Sequence, residues 1–76
     1  MSVVQIGSTV RLRGSVSEDV LVVGDFPAVP GGHLTLSPAS PLGRALLGRR
    51  AGEEVTVRTE AGDVRFRILS VSNGVP

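Results

Sequence analysis

The sequence contains no cysteine, lysine, tryptophan or tyrosine, and it has a single histidine. Without cysteine no disulfide can form, and one histidine cannot build a Cys/His zinc cluster. Every apolar run is far shorter than the about 20 residues that a membrane-spanning helix needs. Residues 1–9 also lack the basic start and the apolar block of a secretory signal. These absences predict a soluble, cytoplasmic protein that is stabilised by packing and backbone pairing.

The chain has 76 residues, of which 41% are hydrophobic, so it can form one small domain with a thin core. Ten glycines and five prolines predict many turns. We therefore expect a single domain over residues 1–76, with its core at about 4–71 and a loose tail at 72–76.

The formal net charge is only +1, and all eight basic residues are arginine. Alternation along the chain predicts a basic sheet face formed by Arg11, Arg13, Arg58, Arg65 and Arg67. Such a face would suit nucleic-acid phosphates, but the chain has only two aromatic residues, both phenylalanine, on which bases could stack. Acidic residues that can pair with the arginines across strands are Glu54, Glu60 and Asp63. A solvated, ion-paired face is therefore favoured over direct nucleic-acid binding.

Five segments have the hydrophobic patterns of β-strands, and residues 26–32, with two prolines and two glycines, predict a loop. The strand predicted at residues 19–23 contains a continuous apolar run, residues 20–23, which favours a strand covered on both faces. A turn at residues 61–63 predicts that the last two strands form a hairpin. The predicted strands are residues 8–13 with Val10 and Leu12 inward, 19–23, 33–36 with Leu34 and Leu36 on one side, 54–60 with Val55 and Val57 inward, and 64–71 with Val64, Phe66 and Ile68 inward.

One short helix is predicted at residues 41–47. Ser40 is a good N-cap, because its hydroxyl can accept a hydrogen bond from a free amide of the first turn, and Pro41 suits the first helical position. Gly48 provides a left-handed exit. Leu42, Ala45 and Leu46 share a face that we expect in the core, whereas Leu47 lies off that face. Strands on an antiparallel sheet with one packed helix indicate an α+β fold.

Residues 37–57, SPASPLGRALLGRRAGEEVTV, closely resemble the C-terminal domain of the bacterial Gre transcript-cleavage factors. In that family, a Ser-Pro-Leu/Ile-Gly-Arg-Ala-Leu-Leu-Gly helix precedes Lys/Arg, Gly-Asp/Glu and a hairpin that ends in an aromatic-Xaa-Ile pattern. Here Phe66-Arg67-Ile68 provides that ending, and the Gly-Ser-Xaa-Val start is present at residues 7–10. The resemblance covers roughly residues 4–71.

The resemblance implies an FKBP-like fold, a twisted antiparallel sheet with one short helix across it. It also implies docking on bacterial RNA polymerase, at the β′ coiled coil on the rim of the secondary channel. In the family, transcript cleavage depends on an N-terminal coiled coil whose acidic tip helps to hold a metal ion. Too few residues precede the first predicted strand to form even one helix of that coiled coil. We therefore expect this chain to lack cleavage activity of its own, and we expect no catalytic, cofactor-binding or metal-binding residues.

By the same resemblance, the polymerase-binding residues are Ala39, Ser40, Pro41 and Leu42. Leu47 is added as a candidate for an exposed apolar contact, because it lies off the core face of the helix. The family usually has Asp or Asn at the position of Ala39, and losing that side chain removes one charge-assisted contact, worth about 1.5–3 kcal/mol. The connection at residues 14–19 is also shorter than usual.

The sequence leaves the biological role open between a free-standing transcription regulator and a fragment of an elongation factor. A structural or self-associating domain is an alternative, favoured if a sheet edge pairs with another copy. A prolyl isomerase fits poorly, because such enzymes use an apolar pocket lined by several aromatic residues. We interpret His33 as a surface residue, and the Glu53-Glu54 pair as a turn and strand start and not as an acid/base dyad.

Overall fold

The computed structural model describes residues 2–25 and 34–73. These residues form five strands and one helix, which confirms the α+β prediction. In chain order, the elements are β1 (Thr9–Arg13), β2 (Glu18–Val23), β3 (Leu34–Leu36), α1 (Pro41–Leu46), β4 (Glu54–Thr59) and β5 (Gly62–Ser72). The predicted loop at residues 26–32 and the position of His33 lie outside the described residues.

The five strands form one sheet in the order β3-β2-β1-β5-β4. All neighbours are antiparallel except β2 and β3, which pair in parallel with Leu21 opposite Leu34. The predicted antiparallel sheet is therefore confirmed except at β3, which runs parallel to β2. Alternating hydrophobicity reports which face of a strand is buried, and it carries no information about the direction in which the strand runs.

The closing hairpin turns at Glu60 and Ala61, one residue earlier than the predicted turn. Gly62 already belongs to β5 and has φ of +118°, a conformation that favours glycine. Asp63, which was expected in the turn, is paired with Arg58 in the ladder. Residues 54–59 alternate as predicted, with Val55 and Val57 buried.

A bulge in β5 allows this long strand to bury side chains at even-numbered positions before the bulge and at an odd-numbered position after it. The pairing with β1 shifts between Arg11, opposite Ser70, and Leu12, opposite Ile68. One more residue on β5 than on β1 reverses the alternation at that point. Phe66 and Ile68 before the bulge and Val71 after it therefore all pack on the same core.

Leu46 of α1 and Ile68 of β5 lie at the centre of the core, and both are completely buried. Leu42 and Ala45 are partly buried and pack against this cluster, so the predicted inner face of the helix is confirmed. Val10 and Leu12 of β1 are buried, as the alternation predicted. The buried hydrophobic residues of the cluster are Val4, Val10, Leu12, Leu21, Val23, Leu46, Val55 and Ile68.

Val4 precedes the first strand, yet it is only 1% exposed. Its amide donates to the Arg49 carbonyl at 2.8 Å, and its own carbonyl accepts from the Gly48 amide at 2.8 Å. These two hydrogen bonds attach the start of the chain to the segment that leaves α1. The sequence pattern missed this contact, because Val4 is not part of an alternating run.

The two ends of the described chain are joined through Ser8, a fully buried polar residue. Its hydroxyl accepts from the Gln5 amide at 2.8 Å and donates to the Asn73 side-chain oxygen. Asn73 also donates to the Val3 carbonyl at 3.0 Å. Ser72 is the last residue of β5, so the first two residues of the expected tail are anchored and not loose. Residues 74–76 lie outside the described residues.

Adjacent leucines provide a test of the helix packing. Replacing Leu46 by Ala should lower the free energy of unfolding by about 2–5 kcal/mol, because it opens a cavity in a thin core. Leu47→Ala makes the same chemical change one residue later, at a side chain that is 36% exposed, and should cost about 1 kcal/mol. Urea denaturation measures both values, and equal losses would contradict the assigned inner face.

Candidate functional site

A tight turn leads from β3 into α1, and its hydrogen bonds converge on Ser37. The Ser40 amide donates to the Ser37 carbonyl at 3.1 Å, and the Ser40 hydroxyl donates to the same carbonyl at 2.6 Å. The Ala39 amide donates to the Ser37 hydroxyl at 3.2 Å. These contacts fix the backbone from Ser37 to Ser40, the segment that the sequence predicts to meet a partner.

Ser40 is the N-cap of α1, as the sequence predicts. Its hydroxyl oxygen accepts from the Gly43 amide at 3.1 Å, and its backbone is extended, with φ −69° and ψ 159°. Pro41 occupies the first helical position, where its missing N–H costs no hydrogen bond. Because the Ser40 hydroxyl already donates to one backbone group and accepts from another, its main role in this structure is to shape the turn.

Gly43 belongs to the site, although the sequence pattern did not identify it. A Cβ atom at this position would lie 2.1 Å from the Ser37 carbonyl oxygen and 2.9 Å from Pro38 Cα. The turn therefore lies directly on the first turn of the helix, at a distance that only glycine permits. The available signal was a glycine inside a six-residue helix, where it lowers helix stability and needs a packing reason.

The helix ends at Leu46, one residue before the predicted end, and the predicted left-handed exit at Gly48 is confirmed. The Leu47 amide donates to the Gly43 carbonyl at 3.1 Å, and Gly48 follows with φ of +82°. This left-handed residue redirects the chain, so that the Gly48 amide reaches the Val4 carbonyl. Both ends of α1 are thereby attached to other parts of the domain.

The predicted partner-binding residues divide into an exposed group and a partly buried group. Ala39, Pro41 and Leu47 are exposed, whereas Ser40 and Leu42 are partly buried and Leu42 packs on the core. Arg44 is exposed between Pro41 and Leu47, with the three-residue spacing of one helix face. We call Pro41, Arg44 and Leu47 the outer stripe of α1. The turn at residues 37–40 and the outer stripe form the candidate docking surface.

The basic sheet face is largely ion-paired, in agreement with the favoured interpretation. Pairs join Arg13 to Glu18 at 3.1 Å, Arg58 to Asp63 at 3.8 Å, and Arg67 to Glu54 at 3.6 Å. Within the described ranges, Arg11, Arg65 and Glu60 form no such pair. All three pairs are solvent-exposed, so each contributes little to stability.

Glu53 also has a structural role. Its carboxylate accepts from the Arg50 amide at 2.6 Å and lies 3.9 Å from the Arg49 guanidinium. Glu54 begins β4 and points to the exposed face. This arrangement confirms the interpretation of the two glutamates as a turn and a strand start.

The family model described as "Transcription elongation factor, GreA/GreB, C-term" matches residues 1–73. The chain belongs to this family. The expected resemblance to Gre factors is thereby confirmed, and the chain is similar to transcription elongation factors over nearly its whole length.

Several relatives illustrate this similarity to the Gre domain. The chain is 44% identical over 72 residues to transcription elongation factor GreA of Thermomicrobium roseum, and the match covers 92% of this chain and 45% of the relative. It is 36% identical over 69 residues to GreA of Pseudomonas aeruginosa, covering 86% and 42%. The chain thus spans slightly less than half the length of the curated relatives that it matches.

Solved structures agree with the fold of this Gre domain. The crystal structure of Gfh1 from Thermus aquaticus superimposes with a TM-score of 0.75 and 30% identity, covering 92% of this chain and 48% of that chain. The GreA/GreB factor from Nitrosomonas europaea gives a TM-score of 0.70 and 32% identity, covering 93% and 61%. Among the residues that the structure describes, no helix is long and apolar enough to cross a membrane.

A shallow depression of the Gre domain lies beside Phe66, where residues of β4, β5 and the end of β1 come together. It is lined by Arg13, Gly14, Ser15, Glu54, Asp63, Val64, Arg65, Phe66 and Arg67. Five of these nine residues are charged, and one is aromatic. The depression therefore differs from the apolar, aromatic-lined pocket that the prolyl isomerase alternative requires.

A methyl group at Gly43 tests the close approach of the turn. Gly43→Ala should lower the free energy of unfolding by at least about 2 kcal/mol, because the Ser37 carbonyl has to move away from the helix. Gly14→Ala is the matched control, since a Cβ there would make ordinary contacts of 3.4 Å or more with Phe66. Thermal denaturation measures the stability of both variants. Equal losses of stability in Gly43→Ala and Gly14→Ala would contradict the close approach of the turn to Gly43.

Proposed function

We propose that this Gre domain binds bacterial RNA polymerase through the turn at residues 37–40 and the outer stripe of α1. The binding point is the β′ coiled coil on the rim of the secondary channel, as the resemblance to Gre factors implies. One observation carries the proposal. The turn is held in a fixed conformation, because the Ser37 carbonyl accepts from Ser40 and lies against Gly43, and the turn leaves Ala39 and Pro41 exposed.

A fixed turn favours binding because little conformational freedom is lost when the partner docks. The exposed side chains of the surface are small or apolar at Ala39, Pro41 and Leu47, and Arg44 adds one positive charge. An apolar centre beside a cation suits a partner helix that presents an apolar side chain and a carboxylate. In this proposal Ser40 and Leu42 act mainly by holding the surface in shape.

The biological consequence that we propose is regulation of transcription in the cytoplasm, where the polymerase acts. As part of an elongation factor, the domain would anchor the factor to the polymerase. As a separate module, it would occupy the same docking point without stimulating transcript cleavage. Both roles depend on one binding step, so that step is the one to measure.

Two substitutions change binding in opposite directions. Ala39→Asp restores the acidic residue of the family and should strengthen binding by about tenfold or more, because one charge-assisted hydrogen bond is worth about 1.5–3 kcal/mol. Pro41→Glu places a bulky charge in the surface and should weaken binding about tenfold. Calorimetric titration of the isolated β′ coiled coil measures both, with circular dichroism to verify the fold.

Val16→Glu is the control for Pro41→Glu. Val16 is 95% exposed in the turn between β1 and β2. Because β3 runs parallel to β2 and pairs Leu36 with Val23, the segment after β3 leaves from the opposite end of the sheet. The control should bind like the parent. If Ala39→Asp and Pro41→Glu also bind like the parent, the docking surface is elsewhere or the polymerase is not the partner.

Competition with an intact Gre factor tests the functional consequence. The 76-residue chain alone should not stimulate transcript cleavage in backtracked polymerase, because in the family this step depends on the acidic tip of a coiled coil. Added in excess, the chain should reduce cleavage stimulated by the intact factor, and additional factor should restore it. Cleavage that is stimulated by the chain alone would overturn the proposal of a binding module.

A further inference from the structure

Strand β4 lies at one edge of the sheet, with β5 on one side and no strand of the described chain on the other. The helix packs against the face of β4 that carries Val55, which belongs to the same core cluster as Leu46. The free edge is therefore distinct from the face that the helix covers. An unpaired edge offers backbone hydrogen-bonding groups to another strand.

The register shows which backbone groups point outward. The Ile68 amide donates to the Glu53 carbonyl at 2.9 Å, and the Ile68 carbonyl accepts from the Gly52 amide at 2.7 Å. Because hydrogen-bonding direction alternates along a strand, Val55 and Val57 also direct their backbone groups toward β5. The N–H and C=O groups of Glu54, Thr56 and Arg58 must then point to the free edge.

Within residues 2–25 and 34–73, no backbone hydrogen bond is made by these outward N–H and C=O groups of Glu54, Thr56 and Arg58. The side chains of Glu54, Thr56 and Arg58 are also exposed. A second strand can therefore approach β4 without displacing any described hydrogen bond of the sheet.

The sequence of β4 is complementary to itself in the antiparallel direction. When two copies are aligned with Thr56 opposite Thr56, Glu54 of each copy lies opposite Arg58 of the other. Val55 then lies opposite Val57 on the other face. The residues placed in hydrogen-bonded pairs, Glu54, Thr56 and Arg58, are those whose backbone groups point outward. Charge and hydrogen-bond direction thus agree on one register.

The two neighbouring registers that also place Glu54, Thr56 and Arg58 in hydrogen-bonded pairs are less favourable. Alignment centred on Val57 would place Glu54 opposite Glu60, a repulsive pair of like charges. Alignment centred on Val55 would place Glu54 opposite Thr56 and Arg58 opposite Gly52, and both attractive pairs would be lost. The register centred on Thr56 is the one that opposes unlike charges twice.

Existing ion pairs extend this pattern across the sheet. Within one copy, Glu54 pairs with Arg67 at 3.6 Å and Arg58 pairs with Asp63 at 3.8 Å. In the dimer, four side chains of alternating charge would lie side by side across the joined sheet. They are Arg67 and Glu54 of one copy, followed by Arg58 and Asp63 of the second copy. Each charge has an opposite charge beside it, so the new contacts reinforce the existing ones.

We propose that two copies of this chain associate through antiparallel pairing of their β4 strands about Thr56, which forms one continuous sheet. The interface is isologous, because the same strand serves both copies. The proposal is separate from polymerase docking, since it uses the edge of the sheet and not the turn or the outer stripe of α1.

Charge reversals test the proposal in a way that a general loss of stability cannot imitate. Glu54→Arg gives an edge with two positive charges, and Arg58→Glu gives an edge with two negative charges. Each variant alone should dimerise about tenfold more weakly than the parent, because two attractive pairs become repulsive. An equimolar mixture should form a heterodimer, since the positive edge of one variant then faces the negative edge of the other.

Arg11→Glu is the matched control. It makes the same charge change as Arg58→Glu at an exposed position on β1, an internal strand of the sheet. Sedimentation equilibrium up to millimolar protein should show that this control dimerises like the parent. A parent chain that remains monomeric throughout that range would overturn the proposal. Equal behaviour of the edge variants and the control would also overturn it.

Amide exchange gives an independent measure of the register. In the monomer, the amides of Val55 and Val57 should be protected by β5, while those of Glu54, Thr56 and Arg58 exchange freely. Raising the protein concentration should slow exchange at the latter three positions, and Arg58→Glu should reverse that change. Protection that grows elsewhere and not at these amides would place the interface on another surface and overturn the proposal.

Discussion

The short helix α1 is held in place by attachments at each end and along one face, and the candidate docking surface depends on them. A six-residue helix has too few hydrogen bonds to persist alone in water. The Ser37 carbonyl lies on its first turn at Gly43, Leu46 fills the core, and the Gly48 amide bonds to Val4. Because the turn and the helix constrain each other, the exposed residues between them keep a fixed arrangement.

Much of the local structure could be predicted from the sequence. The alternation of residues 10–13 predicted the buried and exposed faces of β1, because side chains on a strand alternate between two environments. Ser40, Pro41 and Gly48 predicted the ends of the helix, because each residue type satisfies a specific backbone requirement there. These predictions concern interactions between residues that are close in sequence.

Contacts between distant residues could not be predicted in this way. The parallel pairing joins β3 to residues of β2 that are distant in sequence, and the bulge opposite Arg11 and Leu12 depends on two strands far apart in sequence. The close approach at Gly43 is also invisible to periodicity, although a glycine inside a short helix was a signal. For the candidate site, the sequence predicted the capping role of Ser40 and the inward face of Leu42, but it did not show that the Ser37 carbonyl lies on Gly43.

The Ser8 hydroxyl donates to Asn73, and Asn73 donates to the Val3 carbonyl, so these two hydrogen bonds bring the two ends of the described chain to the same place. Val3 and Val4 lie in turn beside residues 48–50, just beyond the helix. A polypeptide fused to either end would therefore start from one point on the surface, next to the C-terminal end of α1. Adjacent ends also make the domain suitable for circular permutation, because a short linker could join them while the sheet keeps all its strands.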